Sequence, residues 1–191
     1  MQNELIDVLF GEFIAVFDYF FADMDRQFIN NLVIALQYNV FYQGQVIQTS
    51  QYDCQVVYLV KSGYVAVCES TCYQEPILVY GKGAVINLYQ ILMDRRLPFT
   101  FISVCDSEFR YNADGEILIE TKDHLSKRSF LRERGLDSDD EETAKQGSRQ
   151  HSELYSLDKK TLFEFCEVFP NSAELLQKYA IEQVEHLSLT R

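Results

Sequence analysis

Phosphate chemistry is the first possibility raised by Gly81-Lys82-Gly83, which precedes the apolar run Ala84-Val85-Ile86 and, further on, Arg95-Arg96. A phosphate loop cradles its ligand with successive backbone N–H groups and needs a wider spacing between its glycines than this segment has. GxSxG, HExxH and Rossmann patterns are absent from the sequence. The histidines His124, His151 and His186 are scattered, so a triad or metal site would require an improbable convergence of distant segments. Cys54, Cys68, Cys72, Cys105 and Cys166 form an odd set without a CxxC pair, which suggests reduced thiols rather than a disulfide framework or zinc site. Cys68 and Cys72 could face each other across a strand end, but nothing supplies further ligands. The chain is not expected to be an enzyme. Phosphate could also arrive covalently: Ser126 and Ser129 flank Lys127-Arg128, and Ser138 precedes Asp139-Asp140-Glu141-Glu142, contexts suited to basic-directed and acid-directed kinases.

The elements that must position these groups come from a chain of 191 residues, 47% hydrophobic and 14% aromatic, enough apolar material for one domain with accessory helices. Its formal charge of -12 argues against a nucleic-acid partner, because phosphate backbones are bound by clustered Lys and Arg. Met1 to Leu5 carries no basic n-region, so no secretory signal is expected. The apolar stretch from Phe10 to Phe21 is broken by Glu12 and Asp18 and is shorter than the ~20 residues of a bilayer crossing.

From Asn3 to Leu36, apolar residues recur at helical spacing and predict two or three amphipathic helices, broken and restarted at Asp23-Met24-Asp25. From Val40 the pattern becomes short β-rich runs: 40–42, 45–47, 55–60, 64–68 and 76–80, punctuated by Gly44, Gly63, Gly81 and Gly83. This spacing predicts a small β-sandwich or jelly-roll barrel. Strand character returns at Phe99 to Val104. The region from about 106 to 152 is charge-rich and reads as a flexible insertion, with a hairpin turn at Asn112-Ala113-Asp114-Gly115 leading into Ile117 to Ile119. Two helices close the chain, the first ended by Pro170, the second N-capped by Asn171 and carrying the stripe Leu176, Ala180, Val184 and Leu187.

Helices, a β-roll and two closing helices follow the order of the cyclic-nucleotide-binding domain family, and the local sequences agree. Phe41-Tyr42-Gln43-Gly44-Gln45-Val46-Ile47 resembles the family's first strand pair, and Val57 to Val67, with Gly63 at the turn, resembles its most recognisable hairpin. Phe20 to Ile29 is similar to the entry helix of the eukaryotic channel branch, which includes the ether-à-go-go-like channels, together with the sperm-type sodium/proton exchangers. Phe169-Pro170 with Tyr179 to Val184 resembles their hinge and final helix. The resemblance implies an α+β fold: a double-stranded jelly-roll β-roll with entry helices like a C-linker at 1–22, and a binding homology domain at 23–191.

Family members hold a cyclic nucleotide with a Gly-Glu pair opening a helical turn and a later Arg followed two residues on by a small residue. The helix N-terminus and Arg hold the phosphate while the Glu accepts a ribose hydroxyl. In this sequence Asn87 falls at the Gly, Leu88 at the Glu, Pro98 at the Arg and Thr100 at the small residue, so the cassette is degenerate. The resemblance places a pocket at Gly83, Val85, Ile86, Asn87, Leu88, Tyr89, Thr100 and Phe101. Arg95 and Arg96 lie nearby, and Gln183, His186 and Leu187 stand where relatives cap the base. Weak or absent cAMP and cGMP binding is expected, with no certain cofactor and no metal. The resemblance implies a regulatory domain on the cytoplasmic side of a membrane, in the same polypeptide as a transmembrane transport domain and in a homo-oligomer. A true cAMP or cGMP receptor and a structural adaptor are the alternatives.

Overall fold

The computed structural model describes residues 10–50, 53–69, 72–96, 99–104, 109–111, 117–119 and 151–189, without the side chains of 72–75, 109–111, 117–119 and 185–189. Residues 10–16 are helical (α1), followed by α2 (Asp18–Phe21) and α3 (Arg26–Ala35). Asp25 restarts the helix as the sequence predicts. Its Oδ1 accepts from the N–H groups of Gln27 at 2.7 Å and Phe28 at 3.3 Å, two donors that the first turn leaves unpaired.

The strands then run β1 (Gln37–Tyr42), β2 (Val46–Gln48), β3 (Val56–Ser62), β4 (Tyr64–Glu69), β5 (Cys72–Tyr80) and β6 (Val85–Ile86). After the short α4 (Leu88–Leu92) come β7 (Phe99–Val104), β8 (Phe109–Tyr111), β9 (Ile117–Ile119) and β10 (His151–Asp158). The chain closes with α5 (Lys159–Val168) and α6 (Pro170–Leu189). One sheet has the order β1-β10-β3-β6, a second β2-β7-β4-β5, and β8 pairs with β9 as a separate hairpin. All of these pairings are antiparallel.

Alternation along β3 explains why the two sheets face each other. Val57 and Leu59 point to one side, where they join Phe17, Phe28, Leu32, Leu88, Ile91, Leu162 and Leu176 in a core shared with the helices. Val60 points to the other, into the roll, against Val65, Val67, Ile86, Phe101 and Leu154, with Tyr58 packed beside them. Both faces of this strand are therefore buried, one under helices and one under the second sheet.

The hairpin turn at Gly63 is required by the space around it. Gly63 has φ +80°, and a Cβ there would stand 2.7 Å from the Ser152 Cα and 2.9 Å from the His151 carbonyl oxygen. Ser152, fully buried, ties the same corner together: its Oγ donates to the Tyr64 carbonyl at 2.7 Å and lies 2.9 Å from Ser103 Oγ.

Several boundaries differ from the sequence reading. β1 begins at Gln37 rather than Val40, and β5 at Cys72 rather than Pro76. β10 takes in His151 and Ser152, two residues expected to end the insertion. The hairpin expected before the polar segment is present as β8–β9, while its turn and the segment carrying His124, Ser126, Ser129 and Ser138 lie outside the described residues. Asn171 is not an N-cap: α6 starts at Pro170, whose missing N–H costs nothing in a first turn.

Candidate functional site

Gly83 to Leu92 forms one continuous unit between the two cores: a turn, the two-residue β6, and the single-turn α4. Gly83 (φ +89°) donates its N–H to the Val60 carbonyl at 2.8 Å, which fixes the turn on β3. A Cβ at this position would lie 3.2 Å from the carbonyl oxygen of Val16, so the end of α1 runs directly over it.

The expected pocket residues divide between the two sides of the first sheet. Val85 and Leu88 are buried in the helix-side core, with Tyr89 half-buried against it, whereas Ile86 and Phe101 are buried inside the roll. Thr100 is also buried and sits on β7 opposite Cys68 of β4. Leu88, at the position aligned with the ribose acceptor, is 1% exposed among Phe and Leu side chains and has no polar atom to offer a hydroxyl.

Asn87 carries the polar chemistry of the unit. Its backbone is left-handed (φ +69°), a conformation that Asn tolerates better than most residues. The side chain, 4% exposed, points away from solvent. Its Nδ2 donates to Gln48 Oε1 at 2.5 Å and to the Val56 carbonyl at 3.0 Å. Gln48 Nε2 in turn donates to Cys54 Sγ at 3.2 Å, and burial pushes the Cys54 thiol above its usual range. Asn87 Oδ1 has no hydrogen-bond partner among the described residues.

Arg95 and Arg96 are not part of this buried group. Both are exposed, and Arg96 Nε pairs with Asp53 Oδ1 at 2.8 Å with the Arg side chain 86% exposed. Asp94 (φ +48°), just before them, pairs with Lys159 Nζ at 3.1 Å at the start of α5. Asp53, Cys54 and Gln55 thus form a hub: Gln55 also accepts the Lys159 N–H at 2.7 Å. Sequence reasoning missed Gln48 and Asp53, because their links to Asn87 and Arg96 span some forty residues and leave no local pattern, and with them Cys54, which joins the group only through Gln48.

The final helix packs against α4, with Leu176 and Ala180 fully buried in the shared core. Gln183 is half-buried and donates to the Tyr179 hydroxyl at 3.1 Å. Burial, reinforced by nearby Tyr19 and only partly offset by the Gln183 hydrogen bond, pushes the Tyr179 phenol up to about 12. Tyr179 also meets Phe20 edge-on at 5.1 Å and Tyr19 at 5.4 Å, so α6 touches the entry helices directly. Val184 is half-buried, and the side chains of His186 and Leu187 lie outside the described residues. Among the described residues, no group of His, Cys, Asp and Glu side chains could hold a metal ion, and no helix is long and apolar enough to cross a membrane.

No family model matches the sequence, and no curated protein matches it. Solved structures do. A C-linker/CNBHD structure of zELK channels, crystallised in the presence of cAMP, superposes with a TM-score of 0.54 at 12% identity, over 87% of this chain and 59% of the other. The catabolite activator protein of Thermus thermophilus superposes with a TM-score of 0.55 at 13% identity, over 89% of this chain and 60% of the other. The chain thus spans about three fifths of the length of the structures it matches. With its antiparallel sheets and flanking helices, the chain has the cyclic-nucleotide-binding-domain fold, a β-roll with helices at both ends.

Proposed function

We propose that this chain is a regulatory domain whose cassette no longer takes cAMP or cGMP with ordinary affinity and which works by transmitting the position of α4 to the helices around it. One observation carries the reading: Leu88, which the sequence resemblance aligns with the ribose acceptor, is buried in the helix-side core. The arginines support it, since Arg96 is turned to solvent and spent on Asp53. Each lost charge-assisted hydrogen bond costs about 1.5–3 kcal/mol, so losing both anchors lowers affinity by roughly 10²- to 10⁴-fold.

Calorimetric titration with cAMP and with cGMP tests the proposal. No heat up to millimolar ligand is the expected result, and micromolar binding would replace this reading with that of a true receptor.

The wider setting proposed is the cytoplasmic side of a membrane, in one polypeptide with a cation channel or exchanger domain and assembled as a homo-oligomer. It rests on the resemblance of Phe20 to Ile29 to the channel entry helix and on a channel C-linker among the matching structures. Apolar spans of about 20 residues in the parent transcript are the expected finding. A transcript without them would favour the adaptor.

A further inference from the structure

We propose that the Asn87 side chain is a built-in lock, which makes from within the chain the polar contacts that hold α4 in its packed position. This rests on the reading that α4 is the moving part of the domain. Asn87 sits at the junction of β6 and α4, and its Nδ2 reaches two different strands. Gln48 ends β2 in the second sheet, and Val56 begins β3 in the first, at 2.5 and 3.0 Å from Nδ2. One amide group thus pins the start of α4 to both sheets at once.

The rest of the lock is continuous with it. The Asn87 carbonyl accepts the Ile91 N–H at 3.0 Å, so the residue that is pinned also anchors the only full turn of α4. Gln48 is held by Cys54, and Asp53 beside it holds Arg96 beyond the far end of α4. Leu88 and Ile91 of the pinned turn then pack in the core that contains Leu176 and Ala180 of α6. A helix this short is not stable by itself, because forming its first turn fixes several residues for one hydrogen bond. Its position is therefore set by tertiary contacts, the Asn87 amide bonds at its start and the core packing of Leu88 and Ile91, which give α6 a fixed surface to rest on without any ligand.

Hydrogen exchange on the whole chain without ligand tests the lock, with Asn87→Gly and Gln48→Leu as variants. Glycine accommodates the left-handed backbone and removes the amide, whereas alanine would add backbone strain. Amide exchange in α4 and in the half of α6 containing Leu176 and Ala180 should rise at least tenfold in Asn87→Gly. Gln48→Leu should raise exchange in the same segments by less, since the Val56 contact remains. Amides of the β4–β7 pair should keep their wild-type rates. Unchanged exchange in α4 would overturn the proposal, and so would an equal rise in every element, which would mark Asn87 as a general stabilising residue. Binding of cAMP to the wild-type chain would sink the proposed function while leaving this exchange result standing.

Discussion

Two glycines make opposite tests of what a single methyl group can do. At Gly63 the added carbon would meet backbone atoms of His151 and Ser152, which cannot swing aside, and the positive φ adds strain. Strain of about 1–2 kcal/mol and overpacking of about 1–3 kcal/mol predict that Gly63→Ala loses roughly 2–5 kcal/mol in urea unfolding. Gly11 lies in helical α1 with nothing within 4 Å of where its Cβ would be, so Gly11→Ala should gain up to about 1 kcal/mol. Spacing identified the Gly63 hairpin, whereas the approach of Ser152 depends on a contact across nearly ninety positions.

Asp158 shows a chemical effect at the same scale. Its carboxylate caps α5, accepting from Thr161 Oγ1 at 2.6 Å and from the Thr161 N–H at 3.0 Å. The Thr161 side-chain hydrogen bond, followed by the backbone one, holds its pKa below the ordinary carboxylate value. A depressed folded pKa means that this contribution is present above the unfolded value near 3.9 and is lost as pH falls through the folded value. Asp158→Ala should cost about 0.5–2 kcal/mol at pH 7. Asp158→Asn should keep most of that stability and flatten the acid limb of a stability–pH profile, measured by thermal melts between pH 2 and 6.

Among the elements, α6 is the one whose attachment can be measured in parts. Leu176 is fully buried where α6 meets α4 and the helix-side core, so Leu176→Ala should cost about 2–5 kcal/mol and loosen α6 before the sheets. Tyr179→Phe keeps the ring contacts with Phe20 and Tyr19 and should cost less than about 1 kcal/mol, since it removes only the bond from Gln183. Chemical denaturation with near-UV detection separates the two. The apolar stripe of α6 was legible because Leu176, Ala180 and Val184 recur at helical spacing. Its start was not, because Asn171 followed by Glu174 imitates a cap while Pro170 can itself occupy the first turn. The same limit applies to β6: two residues are too short for any periodicity to show, and only pairing of Val85 and Ile86 with Leu59 and Tyr58 makes them a strand.

For the molecule as a whole, a net charge of -12 works against compactness. Raising ionic strength from about 20 to 200 mM, which shortens the screening length severalfold, should raise the melting temperature. A gain of 1 kcal/mol corresponds to roughly 2–4 °C at this size. The β-roll itself was legible from the glycine-punctuated runs. How the expected pocket residues divide between two cores was not, because facing directions in a two-residue strand depend on its neighbours.

The strand order of the first sheet also governs when that sheet can exist. β10 lies between β1 and β3, although β3 ends at Ser62 and β10 begins only at His151. During synthesis the earlier two strands are complete long before the one that separates them, and each waits with an unsatisfied backbone edge. Ribosomes that stall ahead of His151 would release chains able to pair those edges with one another. Such truncated products should aggregate, while the full chain folds in a late step that needs its last strand.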